Sequence, residues 1–311
     1  MVFRLIIAFL CVIACAPMAT RVAAHNQNGF HDMSAAVMRQ QHNQADEEFS
    51  SKEEIRRSFQ LSPGARVEVS GISGPVEIET SNSETAEVYI VRSARQRVDL
   101  EYRKIVIEQT PTSLSVRNER TGEAREGRGV QIRERATLKL PRRIELSVSG
   151  ISGTTKIGDV DGRMRASGIS GGVRIGDVGG DFRASGISGS LTVGEVGGVV
   201  QLEGISGGVK VGRTTGHLEA RGISGSITTT IARFDERGIR LSSISGGINL
   251  RFTEDINADF AIDNFSGSVS LDVPNVIVQS RAESSNMRAR IGAGGAHISI
   301  SNVSGGVRLT R

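Results

Sequence analysis

From residue 154 onward, apolar residues recur in a fixed frame of 18. In residues 172–189, GVRIGDVGGDFRASGISG, they are Val173, Ile175 and Val178, then Phe182, Ala184 and Ile187. The pairs 173/175 and 182/184 are two apart, the period of a strand with one face inward. A helix needs a 3.6-residue period, and none is present. The second triplet is the first moved on by nine, so each repeat reads as two similar half-coils joined by glycine-rich corners. Residues 154–171, 172–189, 190–207 and 208–225 are four copies, and longer ones end in SISG at Gly246, NFSG at Gly267 and NVSG at Gly305. Coil length is 18 four times and 21 twice, and the last 38 residues to Gly305 divide as 20 plus 18.

This pattern predicts an all-β chain: a parallel β-solenoid of about 18–21 residues per coil, two main strands in each. Successive coils are expected to pair position to position, and about eight coils at roughly 4.8 Å spacing give a rod of about 40 Å. Glycines at repeat positions 9, 15 and 18 (Gly180, Gly186 and Gly189) are expected at corners closed to residues with a Cβ. The isoleucine of GISG is expected to point inward and plug the corner. Ile151, Ile169, Ile187, Ile205, Ile223, Ile244, Phe265 and Val303 then form one structural corner stack. A lone coil cannot cover its own apolar face, which is why the unit is copied.

Upstream the alternation is less regular: RVEVS, PVEIET, AEVYIVRS, KIVIEQ, SLSVRN, ATLKLP and IELSVS read as strands between residues 66 and 149. Ser51-Lys-Glu-Glu54 could open a helix as a capping box, but Ile55, Arg57, Phe59 and Leu61 alternate and favour a strand. NERTGEAREGRG (118–129) reads as an exposed charged loop. Residues 25–50 are polar, rich in Gln, Asn and His, and read as a flexible tether. His25, His31 and His42 lie there; as ligands they would need supporting partners, and solvated linker residues are the better reading.

The first 24 residues read as an export signal. A basic start at Arg4 precedes an apolar run from Leu5 to Ala16, too short to span a bilayer as a helix. Val22-Ala23-Ala24 offers a cleavage site before His25. Val12-Ile13-Ala14-Cys15 offers another route, a lipobox in which Cys15 carries lipid. The expected organisation is thus 1–24 signal peptide, 25–50 linker, 51–149 irregular N-terminal β section and 150–311 regular coils. The expected location is exported: periplasm, outer membrane or cell surface. Both cysteines, Cys11 and Cys15, fall inside the signal, so no disulfide framework is available and packing alone must hold the fold. Net charge is +4, and loss of Arg4 and Arg21 with the signal leaves +2, far from the basic field of a nucleic-acid binder.

The outward positions carry the polar side chains that chemistry would use. Position 3 carries Lys156, Arg174, Thr192 and Lys210, and position 12 carries Arg165, Arg183, Gln201 and Glu219. Stacked, these make partly basic ladders that a polyanion could use, although exposed β structure also needs surface charge to stay soluble. Position 6 carries Asp159, Asp177, Glu195 and Arg213, a glycine-aspartate phrase similar to that of calcium β-rolls. Only alternate half-coils hold the acid, however, and the fourth copy has arginine. His217 and His297 are isolated and read as surface residues. No catalytic triad, paired-carboxylate or metal-spaced constellation stands out, and tryptophan is absent, with only Tyr89 and Tyr102 beside ten phenylalanines.

The stretch LSPGARVEVSGISGPVEIET, followed by AEVYIVRSAR and by ATLKLPRRIELSVSGISGTTKIGDVDGRMRASGISGGVRIGDVGG, resembles the bacterial putative-adhesin family. That is a domain-of-unknown-function family of exported β-strand-repeat proteins, and the likeness covers roughly residues 55–311. The resemblance implies an adhesive or cell-envelope role and brings no functional residues with it. The resulting expectation is a non-catalytic envelope scaffold or adhesin-like binding module with no cofactor. Its partner would be an envelope polysaccharide, lipid headgroup or protein met through the sheet faces. Nucleic acid is not expected, and membrane contact only through a lipid anchor. The rivals are a β-helix polysaccharide lyase or hydrolase and a calcium-dependent β-roll.

Overall fold

Alternating inward apolar and outward polar residues build strands that wind around one continuous aliphatic core. A computed structural model describes residues 49–121, 131–282 and 285–311. Among them, strands form a 13-stranded sheet, called sheet 1 below, and a 12-stranded sheet, sheet 2. In the regular array each coil gives seven residues to sheet 1, as in Met164–Ser170, Phe182–Ser188 and Val200–Ser206. To sheet 2 the first three coils give three residues, Thr155–Ile157, Val173–Ile175 and Leu191–Val193, and later ones five or six, as in Val209–Thr214 and Ile227–Ile231. Pairing is parallel and in register: Phe182 faces Met164 and Val200, and Ile187 faces Ile169 and Ile205. The two halves of a coil are therefore unequal, where the repeat predicted similar ones. The sheet 1 strand passes through a left-handed residue at position 15 and carries on to the isoleucine and serine beyond it. The other half shrinks to a three-residue strand plus a one-residue bridge at Val178.

The isoleucine of each GISG unit lies in one buried column. Ile169, Ile187, Ile205, Ile223 and Ile244 pair successively within sheet 1. Ile151 adjoins Ile169 through the bond from the Ser170 N–H to its carbonyl, and each is 1% exposed. Ile72, which the repeat count left out, extends the column by way of Ser152. At the far end the order departs from the chain: Ile244 pairs with Val303, and Val303 with Phe265.

That departure reflects how both ends of the stack are closed. The last coil, Ala296–Ser304 with Val307–Thr310, slides between the coil of Ile239–Ser245 and that of Ala258–Ser266, so its backbone pairs on both sides. The first coil is treated alike. Ala65–Ser70 lies between Ser113–Arg120 and Ile144–Ser149, and Val76–Ser81 lies between Ile132–Pro141 and Thr155–Ile157. Outside these parallel layers the chain turns back on itself. Ser51–Gln60, Thr85–Ala94 and Ile132–Pro141 run antiparallel, as do Arg103–Thr110 with Ser113–Arg120, and Ala258–Ser266, Asn286–Ile291 and Val276–Ala282.

Three expectations are corrected here. The stack is parallel only in its body, its coils do not follow chain order at either end, and residues 268–305 are not two coils. A bare terminal coil would present a row of unpaired N–H and C=O groups, and hairpin strands cover them. With 13 strands at about 4.8 Å the stack is about 58 Å long, longer than the repeat count implied.

The N-terminal closure is fastened by a polar knot. Arg92 and Glu134 are 1% and 3% exposed and bond at 3.0 Å. Glu134 also accepts from the Ser73 N–H at 2.8 Å and from Asn118 Nδ2 at 2.8 Å, while Arg92 donates to Glu53 at 2.7 Å and to the Arg103 carbonyl. The knot joins five strands to the GISG corner at Ser73. It also reaches the short helix Arg97–Tyr102 through the Leu100 carbonyl, an element the alternation did not predict. Ser51–Gln60 is a strand, as its alternation suggested. The export signal with Cys15, the tether histidines and residues 122–129 of the charged loop lie outside the described residues. Of the expected tether, Phe49 is described; it is buried, with the Arg133 guanidinium 3.9 Å from its ring centroid.

Candidate functional site

Because pairing is in register, outward residues at equivalent positions line up across sheet 1. One row reads Glu68, Ser147, Arg165, Arg183, Gln201, Glu219 and Arg240. Beside it, two residues earlier in each coil, run Arg66, Glu145, Arg163 and Asp181. Between the rows lies a groove of about 700 Å³ that spans five successive strands. It is lined by Arg66, Arg163, Arg165, Arg183 and Arg237, with Glu68, Glu145 and Asp181 as its carboxylates.

Among the described residues, carboxylates pair with Arg66 and Arg237 alone of these five arginines. Asp181 Oδ1 accepts the Val199 N–H at 2.9 Å, and Glu145 sits 3.7 Å from Arg66. Among the described residues no carboxylate lies within ion-pair distance of Arg163, Arg165 or Arg183. Arg183 donates instead to Gln201, at 2.8 Å from Nε. Gln201 in turn donates to Glu219 at 3.4 Å, and Arg221 pairs with Glu219. Burial tends to raise Glu219, but the hydrogen bond and charge of Arg221, with Gln201 and His217 adding, hold it below the usual carboxylate range.

One margin of the groove comes from residues 232–238, the insertion that lengthens this coil. Asp235 accepts from the Arg237 backbone N–H at 3.0 Å and from its Nη2 at 2.5 Å, which holds the carboxyl below its ordinary value. The loop is anchored by His217, whose Nδ1 lies 2.7 Å from the Gly238 carbonyl oxygen. A carbonyl only accepts, so that nitrogen carries the proton. His217 is 7% exposed, which corrects its reading as a surface residue; the longer loop of the next coil covers it. His297 is exposed. No aromatic ring is exposed in the groove: Phe182 lines its floor but is 1% exposed.

The glycine-aspartate phrase does a different job from the calcium role weighed above. Asp159 Oδ1 accepts the Asp177 N–H at 2.9 Å, and Asp177 Oδ1 accepts the Glu195 N–H at 2.7 Å. Each aspartate thus caps the same position of the next coil. Glycine precedes it because a Cβ on Gly176 or Gly194 would collide with that carboxylate oxygen. Among the described residues no group of three His, Cys, Asp or Glu side chains could hold a metal ion. On sheet 2 the position 3 ladder places Lys156 3.5 Å from Glu77, with Arg174, Thr192 and Lys210 following in register. Tyr89 and Tyr102 lie in the N-terminal section, where Tyr89 donates to Glu54 at 3.2 Å. Sequence reasoning found Arg165 and Arg183 but missed Arg66, Arg163 and Arg237. The first two lie outside the position 12 register, and the third is brought to the groove by a loop.

Nothing among curated proteins matches the chain. Solved structures with detectable likeness include a "putative adhesin" from Parabacteroides distasonis, at 12% identity and TM-score 0.41, covering 83% of this chain and 97% of that one. Another is a "putative adhesin" from Bacteroides fragilis, at 13% identity and TM-score 0.36, covering 83% and 98%. A "putative lipid binding protein" from Parabacteroides distasonis has 13% identity and TM-score 0.29, covering 83% and 97%. The Toastrack DUF4097 family matches residues 65–310, from the first coil through the last, and this chain belongs to that family.

Proposed function

We propose that the protein is an exported, non-catalytic module of the cell envelope. It is adhesin-like in that it offers the outward face of sheet 1 to an envelope component. In this reading residues 1–24 direct export, by cleavage after Ala24 or by lipidation of Cys15, and residues 25–50 tether the body. Residues 51–149 begin the solenoid and 150–311 carry its coils, with the antiparallel pair Val276–Ala282 and Asn286–Ile291 inserted among them. The observation that carries the reading is the groove, where three adjacent arginines lack carboxylate partners on a face held rigid by pairing on both sides. Support for a non-catalytic role comes from Asp159, Asp177 and Asp181, each of which accepts a backbone N–H. They are not the free acid and base that glycan cleavage uses.

The test is to express the full chain in a bacterial host, fractionate the cells and determine the mature N-terminus by mass spectrometry. The purified protein is then sedimented with isolated envelope material. Expected are an N-terminus at His25 or an acylated Cys15, co-sedimentation, and no change in glycan chain length on prolonged incubation. An intact N-terminus in the cytoplasm, or shortened glycan, would refute the reading.

A further inference from the structure

We infer that the groove of sheet 1 binds a linear acidic polysaccharide laid along the stacking axis. Arg163, Arg165 and Arg183 receive its anionic groups. This rests on the reading of the protein as a binding module and gives that module a ligand class.

The first support is the placement of charge. Arg165 and Arg183 face each other directly across two paired strands, an arrangement that costs stability because like charges repel. The same pairing recurs where Lys156 faces Arg174 on sheet 2 and where Arg103 faces Arg120, but Lys156 has Glu77 3.5 Å away, whereas among the described residues Arg165 and Arg183 have no carboxylate within ion-pair distance. The need to guard an open sheet edge does not account for the Arg165–Arg183 pair, since both strands are interior and paired on each side. A bound anion would relieve the repulsion. Guanidinium groups suit this role: they are weakly hydrated and match carboxylate and sulfate oxygens in a two-pronged geometry.

The second support is shape. The groove crosses five strands, about 19 Å at strand spacing, so its occupant is long and runs across the strands. A single small anion would occupy one rung. Exposed rings are absent from the groove, so the sugar is not held by stacking, and selection falls on charge and its spacing along the polymer. Carboxylated and sulfated chains share that chemistry. The loop held by His217 sets Arg237 at the margin of the groove, where a flat membrane surface meets it less well than a strand-like polymer.

The experiment titrates the full-length purified protein with polygalacturonate, dextran sulfate and neutral dextran by calorimetry. Anionic phosphatidylglycerol vesicles and single-stranded DNA serve as competing probes. At least one acidic polysaccharide is expected to bind, and the two arms separate carboxylate from sulfate preference; dextran is expected not to bind. Affinity should fall steeply with salt, as the screening length shrinks from about 10 Å at 0.1 M to about 3 Å at 1 M. The pair Arg165→Ser and Arg183→Ser should weaken binding tenfold or more with a urea midpoint that is unchanged or raised, as relief of the repulsion requires, and Arg163→Ser alone should weaken it less. Arg174→Ser with Lys210→Ser, on sheet 2, should leave binding unchanged.

Wild-type affinity in the sheet 1 pair, or binding to vesicles or DNA but to neither polysaccharide, overturns the inference. If envelope material still co-sediments in that case, the ligand class fails and the binding module stands. If nothing is bound at all, both fail.

Discussion

Gly204 and Gly207 are the two glycines of one GISG unit, yet the structure assigns them opposite tolerances. Gly204 has φ +61, and a Cβ there would find its nearest neighbour 3.8 Å away, at the Gly186 nitrogen. Later coils already hold Ser243, Asn264 and Asn302 at this position, with φ 55, 52 and 54. Gly204→Asn is thus expected to change stability by less than about 1 kcal/mol, since asparagine adopts the left-handed region at small cost. Gly207 has φ +147, and its Cβ would lie 2.5 Å from the Gly189 oxygen, 2.7 Å from its carbon and 3.1 Å from the Ser190 nitrogen. All three are backbone atoms locked in the neighbouring coil, so the corner must open by about half an ångström or more to reach a contact real Cβ atoms show. The backbone conformation costs about 1–3 kcal/mol for a residue other than glycine, and overpacking adds about 1–3 kcal/mol. Gly207→Ala is therefore expected to lose about 2–6 kcal/mol. In urea, with a slope of about 2–3 kcal/mol/M for a chain of this size, that is a midpoint shift of about 0.7–3 M. Equilibrium unfolding followed by circular dichroism measures both variants. A wild-type midpoint for Gly207→Ala, or equal losses for the two, would refute the close-approach reading of the motif.

Glu134→Ala leaves the buried Arg92 guanidinium with only the half-exposed Glu53 carboxylate and should cost about 3–5 kcal/mol. Arg92→Met in the same background should recover part of that loss in a double-mutant cycle. Asp177→Ala removes the acceptor of the Glu195 N–H and should cost about 1 kcal/mol, while neither calcium nor EDTA shifts the melting temperature of the parent protein. Thr229 is 2% exposed and its hydroxyl finds no partner, so Thr229→Val should gain about 1 kcal/mol by removing a buried orphan, read as a higher urea midpoint. Glu219 titrates below its ordinary value in the folded state. The stability it contributes is accordingly present above the unfolded carboxylate value of about 4.3 and lost as pH falls through the folded one. Glu219→Gln should flatten that part of the acid limb in pH-dependent unfolding, and an unchanged limb would count against the Arg221–Glu219–Gln201 ladder.

Individual residues show how far the repeat could be read. Asp159 and Asp177 were visible as a phrase, but its purpose was not, because the bond runs to a backbone N–H 18 residues on. A carboxylate that caps a corner and one that ligates a metal look alike in one dimension. Gly186 and Gly189 looked equivalent as letters and differ because one is required by neighbouring backbone and the other only by φ. His217 looked isolated for the same reason: its partner is the carbonyl of Gly238, 21 residues away, in a loop whose path no periodicity specifies.

Translation along a stack is a local rule. Each coil meets a near-copy of itself one strand spacing away, so a period of 18, a strand alternation and an inward isoleucine were enough to specify the body of this protein. The ends break that symmetry. Whether Ala296–Ser304 follows Ala258–Ser266 or slips inside it depends on which of two distant pairings covers more backbone and apolar surface. Both use the same repeat letters, and only the folded chain compares them. The Arg92–Glu134 knot and the arrival of Arg237 at the groove that Arg183 lines belong to the same class. They join segments with no common register, and their free energy exists only once the coils between them are in place.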